Sequence, residues 1–393
     1  MQKEYNYLLH LLRAFINGTV PEKREDIDWN NLITLAGIHQ VQGMVGYLSM
    51  QYKLCSEPQM AMALKQECLR CFSLQTIRAS QMERLIKLMN EEQINHLLFK
   101  GYLVKEYYPV PELRTYGDID FVIQQKDREK SHQLMLKHGY TLKTDWEPVF
   151  SYYKDSEFYE IHTNVMEIDV SNKADYKGYF SRIWEHVVKQ DEYTWHFTPE
   201  FHFIYLLTHI AKHIHGAGAG IRMYMDIACF VKHFEDSIDW QYVKNELQNI
   251  CLYDFACTVF TAVEEWFAVK APMEFEPVPE EVVEEFTKFT LEAGIFGHVN
   301  RDVAVNKLKH EEDASQMTRV KSIVNRLFPD AQSISTRYTY LQKRPWLLPV
   351  AWVHRLFKTS GEWKHHAYEA QNIMSTDSGE VNRLRKLQKD IGL

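Results

Sequence analysis

Two aspartates separated by one residue stand in the stretch GDIDFVI, which begins at Gly117. If this stretch forms a strand, Asp118 and Asp120 project from the same face, because successive side chains of a strand alternate between its two faces. Two neighbouring carboxylates repel each other unless they share a proton or bind a cation. Oxygen ligands favour Mg²⁺ or Mn²⁺, and in nucleotidyl transfer two such ions about 3.5–4 Å apart hold the attacking and leaving oxygens. Most D-x-D sequences are surface charges, but the preceding Gly117 and the following strand favour a site for two Mg²⁺ ions, with Mn²⁺ as the alternative.

A lysine–glycine turn precedes the aspartates. The stretch INHLLFKG is predicted to be a short strand that ends at Lys100 and Gly101, with a helix after it. A glycine turn at a helix amino terminus exposes backbone N–H groups that can bind the phosphates of a triphosphate, and Lys100 adds a positive charge there. The context matters, because Asp26 and Asp28 have the same spacing but are predicted to begin a helix.

The elements that would position these residues divide the chain into three regions. Residues 1–93 carry apolar side chains at helical spacing and are predicted to be helical. Residues 94–175 contain short strands, some of them consecutive, which implies a mixed sheet. Helical spacing returns in residues 176–393. We therefore expect an α+β protein whose small mixed-sheet core is inserted between an N-terminal helical region and a larger C-terminal helical region.

Composition narrows the setting. The chain has 393 residues, of which 45% are hydrophobic and 25% charged, and its formal net charge is -8. Its first residues lack the uninterrupted apolar core of a signal peptide, and its longest apolar run, WLLPVAWV, is too short to span a bilayer. We expect a cytoplasmic protein without a membrane partner. Residues 319–358 are basic and could face phosphates or form a solvated helix face, but the chain carries no nucleic-acid recognition motif.

These motifs together resemble a known family. The run FKGYLVKEYYPVPELRTYGDIDFVI is similar to the signature of the DNA polymerase beta-like nucleotidyltransferase superfamily, and is most similar to a bacterial family of uncharacterised nucleotidyltransferases. FYEIHTNV is similar to that family's Glu-x-His strand, and HIAKHIHGAGAGIRMYMDIACF to its His-Lys-His and Ile-Arg block. The resemblance covers nearly the whole chain. It departs from the wider superfamily at the turn, where Tyr102 follows Gly101 in place of a second glycine or a serine.

The resemblance implies a metal-dependent nucleotidyltransferase. Two Mg²⁺ ions would bridge the phosphates of an NTP, with ATP as the expected one, to Asp118, Asp120 and a third carboxylate. An acceptor hydroxyl would attack the α-phosphorus, and pyrophosphate would leave. The sequence leaves the acceptor open among a small molecule, a sugar, a protein hydroxyl and an RNA end. The alternative is a degenerate, non-catalytic module of the same fold that binds a nucleotide or a partner.

The third carboxylate has three candidates, Glu160, Glu167 and Asp169. The family's Glu-x-His pattern matches Glu160 and His162, which share one face of the predicted strand. Glu167 and Asp169 run directly into a polar loop. We therefore expect Glu160 to be the third metal ligand and catalytic carboxylate.

Further residues are expected to bind substrate. They are Lys100, Gly101, Arg114, Gly117, Lys212, His213 and Arg222. Arg114 either contacts a phosphate or balances the negative field of the aspartates. Arg222 either lines the cleft with Lys212 or forms an i,i+4 pair with Asp226 that orients a helix. His209 and His213 have the i,i+4 spacing of zinc ligands but lack the glutamate of an H-E-x-x-H motif, so packing is the favoured interpretation.

Overall fold

The computed structural model describes residues 2–117, 119–166, 170–216, 218–235, 237–294, 323–325, 328–334, 338, 340–358, 374 and 377–393. The chain forms two compact units, Met1–Gly297 with Ile391–Leu393, and His298–Asp390. The described residues of the first unit contain a seven-stranded sheet and most of the helices. This confirms the predicted α+β class. The division into regions 1–93, 94–175 and 176–393 stays a prediction.

The chain begins with the helices α1 (Gln2–Asn17), α2 (Trp29–Ile38), α3 (Gln42–Tyr52) and α4 (Pro58–Glu91). The first D-x-D sequence lies where α2 begins. Asp28 is the N-cap of α2, and its side chain accepts hydrogen bonds from the backbone N–H groups of Asn30 and Asn31. Asp26 forms an exposed ion pair with Arg24. These two aspartates are therefore helix-start residues, as their sequence context predicts.

The strands are β1 (His96–Leu98), β2 (Ile119–Ile123), β3 (Thr141–Trp146), β4 (Val149–Lys154), β5 (Glu157–His162), β6 (Val187–Lys189) and β7 (Thr194–Phe197). Their order in the sheet is β3-β4-β5-β2-β1-β7-β6. The pairs β2–β5 and β1–β7 are parallel, and the other pairs are antiparallel, so the sheet is mixed as predicted. Strands β6 and β7 lie in a region where the sequence predicted only helices.

One face of the sheet packs against a helical layer. Phe121 of β2 and Ile161 of β5 belong to a buried apolar cluster that also contains Met82 and Leu85 of α4. Because side chains alternate, the residues next to them in sequence project from the other face. The parallel register then places Asp120 of β2 opposite Glu160 of β5. Burial of the apolar positions thus brings two carboxylates side by side.

Short helices connect the strands: α5 (Gly101–Val104), α6 (Arg128–Lys137) and α7 (Tyr176–Phe180). Longer helices follow the sheet: α8 (Pro199–Gly216), α9 (Ile221–Phe234), α10 (Trp240–Asn249), α11 (Tyr253–Phe267) and α12 (Glu280–Ala293). The described part of the second unit contains helices Ala331–Ile334, Tyr340–Lys343, Leu348–Lys358 and Ser378–Asp390. Among the described residues, no helix has the length and apolar character needed to cross a membrane.

Candidate active site

Asp120 is the centre of a cluster of charged and polar side chains on the face of β2 opposite the apolar cluster. Lys100 Nζ donates to Asp120 Oδ1 over 3.0 Å. His162 Nε2 lies 2.9 Å from the same oxygen and 3.8 Å from Glu160 Oε2. The structure thus brings together Lys100, Asp120 and Glu160 of the predicted site. Asp118, the other aspartate of the motif, lies outside the described residues.

The lysine–glycine turn is shaped by close packing. Lys100, directly after β1 and Phe99, has a φ of 56°, a region that residues with a side chain rarely adopt. A Cβ atom on Gly101 would lie 2.6 Å from both Arg114 Nη1 and Tyr116 Cβ, so only glycine fits there. The helix that follows, α5, has only four residues. At this turn, the glycine is needed for packing, and the lysine side chain reaches Asp120.

The charges of Lys100 and Asp120 stabilise each other. Burial opposes ionisation of Asp120, but the Lys100 ammonium and the hydrogen bond with His162 outweigh it and hold the pKa of the carboxyl well below its usual value. Burial likewise opposes the charge of Lys100, yet Asp120 raises the pKa of the lysine well above its usual value. Both groups therefore remain ionised at neutral pH.

The donor set on this face fits a divalent cation. Asp120, Glu160 and His162 each offer one ligand atom, and these atoms lie within 4.8 Å of one another. Because small divalent ions lie about 2.0–2.2 Å from each ligand, two ligands of one ion can be up to about 4.4 Å apart. A small movement of side chains would suffice to gather the three groups around one ion. The Lys100 ammonium already shows that a cation is accommodated beside Asp120.

Arg114 belongs to a neighbouring buried network. Its Nε and Nη2 atoms donate to Asp226 Oδ1 and Oδ2 over 3.0 and 2.6 Å, a bidentate ion pair. Tyr108 OH donates to Asp226 Oδ1 over 2.6 Å. This network joins the loop before β2 to α9. Asp226 is therefore paired with Arg114, which is distant in sequence, and the predicted i,i+4 pair with Arg222 does not carry its hydrogen bonds.

Arg222 supports the same loop from α9. Its Nη1 atom donates to Gln40 Oε1 over 2.5 Å and to Thr115 Oγ1 over 3.0 Å. Burial, reinforced by the charge of Arg114, lowers the pKa of Arg222 to about 10. A direct contact with phosphate stays a prediction for both arginines. Gly117 lies in this loop too, and a Cβ atom there would meet nothing within 4 Å.

The last predicted residues, Lys212 and His213, lie on α8. His213 Nε2 is 3.3 Å from His209 Nε2. Burial and the positive charges of Lys212 and Lys100 lower the pKa of His213 to about 4. Burial and His213 likewise lower the pKa of His209, on which Lys100 and Asp120 also act. The helix therefore presents two neutral imidazoles and a cation within electrostatic reach of the Lys100–Asp120 pair.

Two surface clefts lie away from these residues. A cleft of about 560 Å³ is lined by Phe260, Lys270 and Glu276, among others. Another, of about 380 Å³, is lined mainly by residues of α1 and α12, including Gln2 and Glu292. Neither of these two clefts is lined by Asp120, Glu160 or His162.

The fold and the donor set define a class: an α+β protein whose strands carry carboxylates and an imidazole that could hold a cation. A family model described as "Uncharacterised nucleotidyltransferase" matches residues 25–268, more than half of the chain. The chain belongs to this family, as the resemblance of its motifs predicted. No curated protein matches the chain, and neither does any solved structure.

Sequence reasoning did not assign a site role to His162, and it did not foresee the network around Asp226. For His162 a signal was present in the sequence. It follows Glu160 by two residues on the same strand, so the two side chains share one face. For the network there was none, since Arg114 and Tyr108 are 112 and 118 residues from their common partner Asp226. Glu167 and Asp169, the other carboxylate candidates, lie outside the described residues.

Replacing Asp226 by asparagine should destabilise the protein. The change leaves the buried guanidinium of Arg114 without its negative partner, a loss of about 3–5 kcal/mol in the free energy of unfolding. Urea unfolding measures this loss in the free energy of unfolding. As a control, Asp26→Asn removes only exposed ion pairs, with Arg24 and Lys3, and should leave the unfolding midpoint nearly unchanged. Equal midpoints for the two variants would show that the buried pair does not stabilise the fold.

Acidification should destabilise the protein through His213. Its folded pKa of about 4 is below the ordinary value of about 6.5, so the unfolded chain takes up a proton first as the pH falls. The stabilisation is complete above about pH 6.5 and is lost between about pH 6.5 and 4. Between pH 7.5 and 5 the loss from this residue is on the order of 2 kcal/mol.

Urea unfolding of the wild type and of His213→Gln at both pH values tests this expectation. The variant should lose less stability on acidification than the wild type. Both proteins retain the other buried histidines, so the difference between them reports on His213. An identical loss in the two proteins would mean that His213 titrates normally in the folded state.

Proposed function

We propose that this protein is a metal-dependent nucleotidyltransferase that moves a nucleoside monophosphate from an NTP to an acceptor hydroxyl and releases pyrophosphate. The observation that carries the proposal is the pairing of Asp120 with Glu160 on adjacent parallel strands, beside a lysine ammonium, in a chain of a nucleotidyltransferase family. With Asp118, these carboxylates are the proposed ligands of two Mg²⁺ ions. ATP is the expected nucleotide, and the cytoplasm the expected location.

The bound ions would neutralise the phosphates and favour the ionised form of the acceptor hydroxyl. The contribution of the chain is positioning, because strands β2 and β5 fix Asp120 and Glu160 to a rigid sheet. Lys100 is proposed to bind the triphosphate. Its ammonium, which now donates to Asp120, would turn toward the phosphates when an ion balances the charge of the carboxylate. Lys212 and His213 on α8 are proposed to face the substrate from the other side.

Arg114 and Arg222 are proposed to serve the substrate mainly through the loop that they hold. Both guanidinium groups are buried and bonded to Asp226, Thr115 or Gln40. A contact with phosphate would require these bonds to break. Gly101 lets the turn pack against Arg114, which places Lys100 at the end of β1.

A second candidate function is a non-catalytic nucleotide-binding module. One observation favours it: the Lys100–Asp120 ion pair neutralises the aspartate without any metal. The intact carboxylate pair favours the enzyme, because a module that binds only phosphates would gain nothing from adjacent negative charges. The acceptor, whether a small molecule, a sugar, a protein hydroxyl or an RNA end, is to be found by experiment.

Incubation with each labelled NTP, Mg²⁺ or Mn²⁺ and cell extract should transfer label to an acceptor. Glu160→Gln should lower the rate by at least about a hundredfold, the scale of a lost charge-stabilising group. Glu157→Gln is a matched control on the same strand, because Glu157 bonds to Tyr140 on the other face and should not affect transfer. NTP binding without labelling of any acceptor would instead support the non-catalytic module.

Replacing Lys100 by alanine should have opposite effects on the affinity for the divalent ion and on the affinity for ATP. Without nucleotide, the variant should bind the divalent ion more tightly, because the ammonium no longer competes for Asp120. With metal present, it should bind ATP more weakly by about 1.5–3 kcal/mol and AMP by much less, since a charge-assisted phosphate contact is lost. Calorimetric titration measures both affinities.

Lys87→Ala provides the control for the change in net charge, because Lys87 is exposed on α4. It should leave the binding of metal, ATP and AMP unchanged. Equal losses for ATP and AMP in Lys100→Ala would place this lysine away from the phosphate tail.

A further inference from the structure

We propose that His162 is itself a ligand of the metal ion at Asp120, and that the site therefore prefers a first-row transition ion such as Mn²⁺ to Mg²⁺. The inference deepens the proposed function and rests on it only in requiring that Asp120 and Glu160 bind a divalent ion. Its basis is the geometry of His162, a residue to which the sequence analysis gave no role in the site.

The position of the imidazole nitrogen is that of a ligand. His162 Nε2 is 2.9 Å from Asp120 Oδ1 and 3.8 Å from Glu160 Oε2. Both distances are within the roughly 4.4 Å that can separate two ligands of one ion with metal–ligand bonds of about 2.2 Å. An ion that binds Asp120 Oδ1 and Glu160 Oε2 together therefore has Nε2 within reach. An ion on Asp120 Oδ1 with oxygen ligands alone would require the ring to move away from that oxygen.

The fold holds the ring in this position. The His162 side chain is only 4% exposed, and its ring packs edge-to-face against Phe99 with centroids 5.8 Å apart. Its backbone is paired with Val122 of β2 and with Val149 of β4, so the strand cannot shift alone. A ligand fixed on a central strand is preorganised, whereas a ring free to rotate would yield its place to water.

Donor chemistry then decides the ion. Mg²⁺ prefers oxygen ligands and keeps several waters, whereas imidazole nitrogen suits transition ions. Binding needs a lone pair on Nε2, so the hydrogen bond to Asp120 is replaced by the ion, and the neutral ring carries its proton on Nδ1. If Nδ1 already carries a proton when the ion binds, the proton of Nε2 is released to water. The mixed set of two carboxylates and one imidazole thus favours Mn²⁺ over Mg²⁺.

Another imidazole lies near the site and must be distinguished. Burial and the neighbouring His213 lower the pKa of His209 on α8, and the charges of Lys100 and Asp120 also act on it. It is on a different element, however, and its Nε2 is bonded to the ring of His213. His162 shares the sheet face with both carboxylates, which is why the geometry points to it.

Pulsed electron paramagnetic resonance of the full-length protein loaded with Mn²⁺ alone tests the proposal, because a directly bound imidazole couples its ¹⁴N nucleus to the Mn²⁺ electron spin. The wild type should show this nitrogen modulation, His162→Asn should lose it, and His209→Asn should keep it. Bound Mn²⁺ without nitrogen modulation in the wild type would overturn the inference and leave His162 a hydrogen-bond partner of Asp120. Absence of any Mn²⁺ binding would instead contradict the proposed function as well.

Competition between ions gives a second readout that needs no turnover and no acceptor. Mg²⁺ should displace Mn²⁺ from the wild type only at a concentration at least about tenfold higher, as expected when one ligand discriminates between them. In His162→Asn, and in His162→Gln should the first variant fold poorly, this preference should shrink. An unchanged preference in a folded variant would overturn the proposal, because the selectivity would then come from the carboxylates.

Discussion

The negative charge of Asp120, half-buried on a central strand, is the constraint on which the rest of the site depends. A carboxylate removed from water destabilises the fold unless other groups compensate it. The β2–β5 register places Glu160 beside it, which adds a like charge. Lys100 and His162 supply the compensation, and Lys100 adopts a backbone conformation with φ of 56° to reach it. Such a conformation costs of order 1–3 kcal/mol and persists because the ion pair and the packed turn stabilise it.

The buried arginines do not compensate the charge of Asp120, because their hydrogen bonds go to other groups. Arg114 is neutralised by Asp226 in a bidentate pair, and Arg222 is engaged by Thr115 and Gln40. Both arginines connect the loop before β2 to α9. This connection determines where the loop places Asp120. The two guanidinium groups are thereby bonded to residues that hold the loop. Lys100 carries the positive charge that faces the carboxylates. The network that shapes the loop and the cation that serves the site are thus separate.

The sequence predicted what depends on local pattern. Alternation alone placed Glu160 and His162 on one face and the apolar residues of β2 in the core, and the structure agrees. It could not show that β5 pairs with β2, because two strands lie between them in the chain. The i,i+4 spacing left an Arg222–Asp226 pair open beside a role of Arg222 in the cleft, and spacing could not show that Asp226 forms a bidentate pair with the distant Arg114. Strands β6 and β7 escaped detection because segments of three or four residues carry almost no periodicity.

The Lys100–Asp120 pair also couples the two ligands that the site is proposed to bind. An ion that binds Asp120 Oδ1 competes with the ammonium for that oxygen, and a triphosphate offers Lys100 another negative partner. A triphosphate that attracts Lys100 in turn frees Asp120 for the ion. Because each ligand removes the competitor of the other, their binding free energies are linked, and the linkage must be equal in both directions. The lysine in the altered glycine turn compensates the charge of Asp120, and in the proposed function it would also link the binding of metal to the binding of nucleotide.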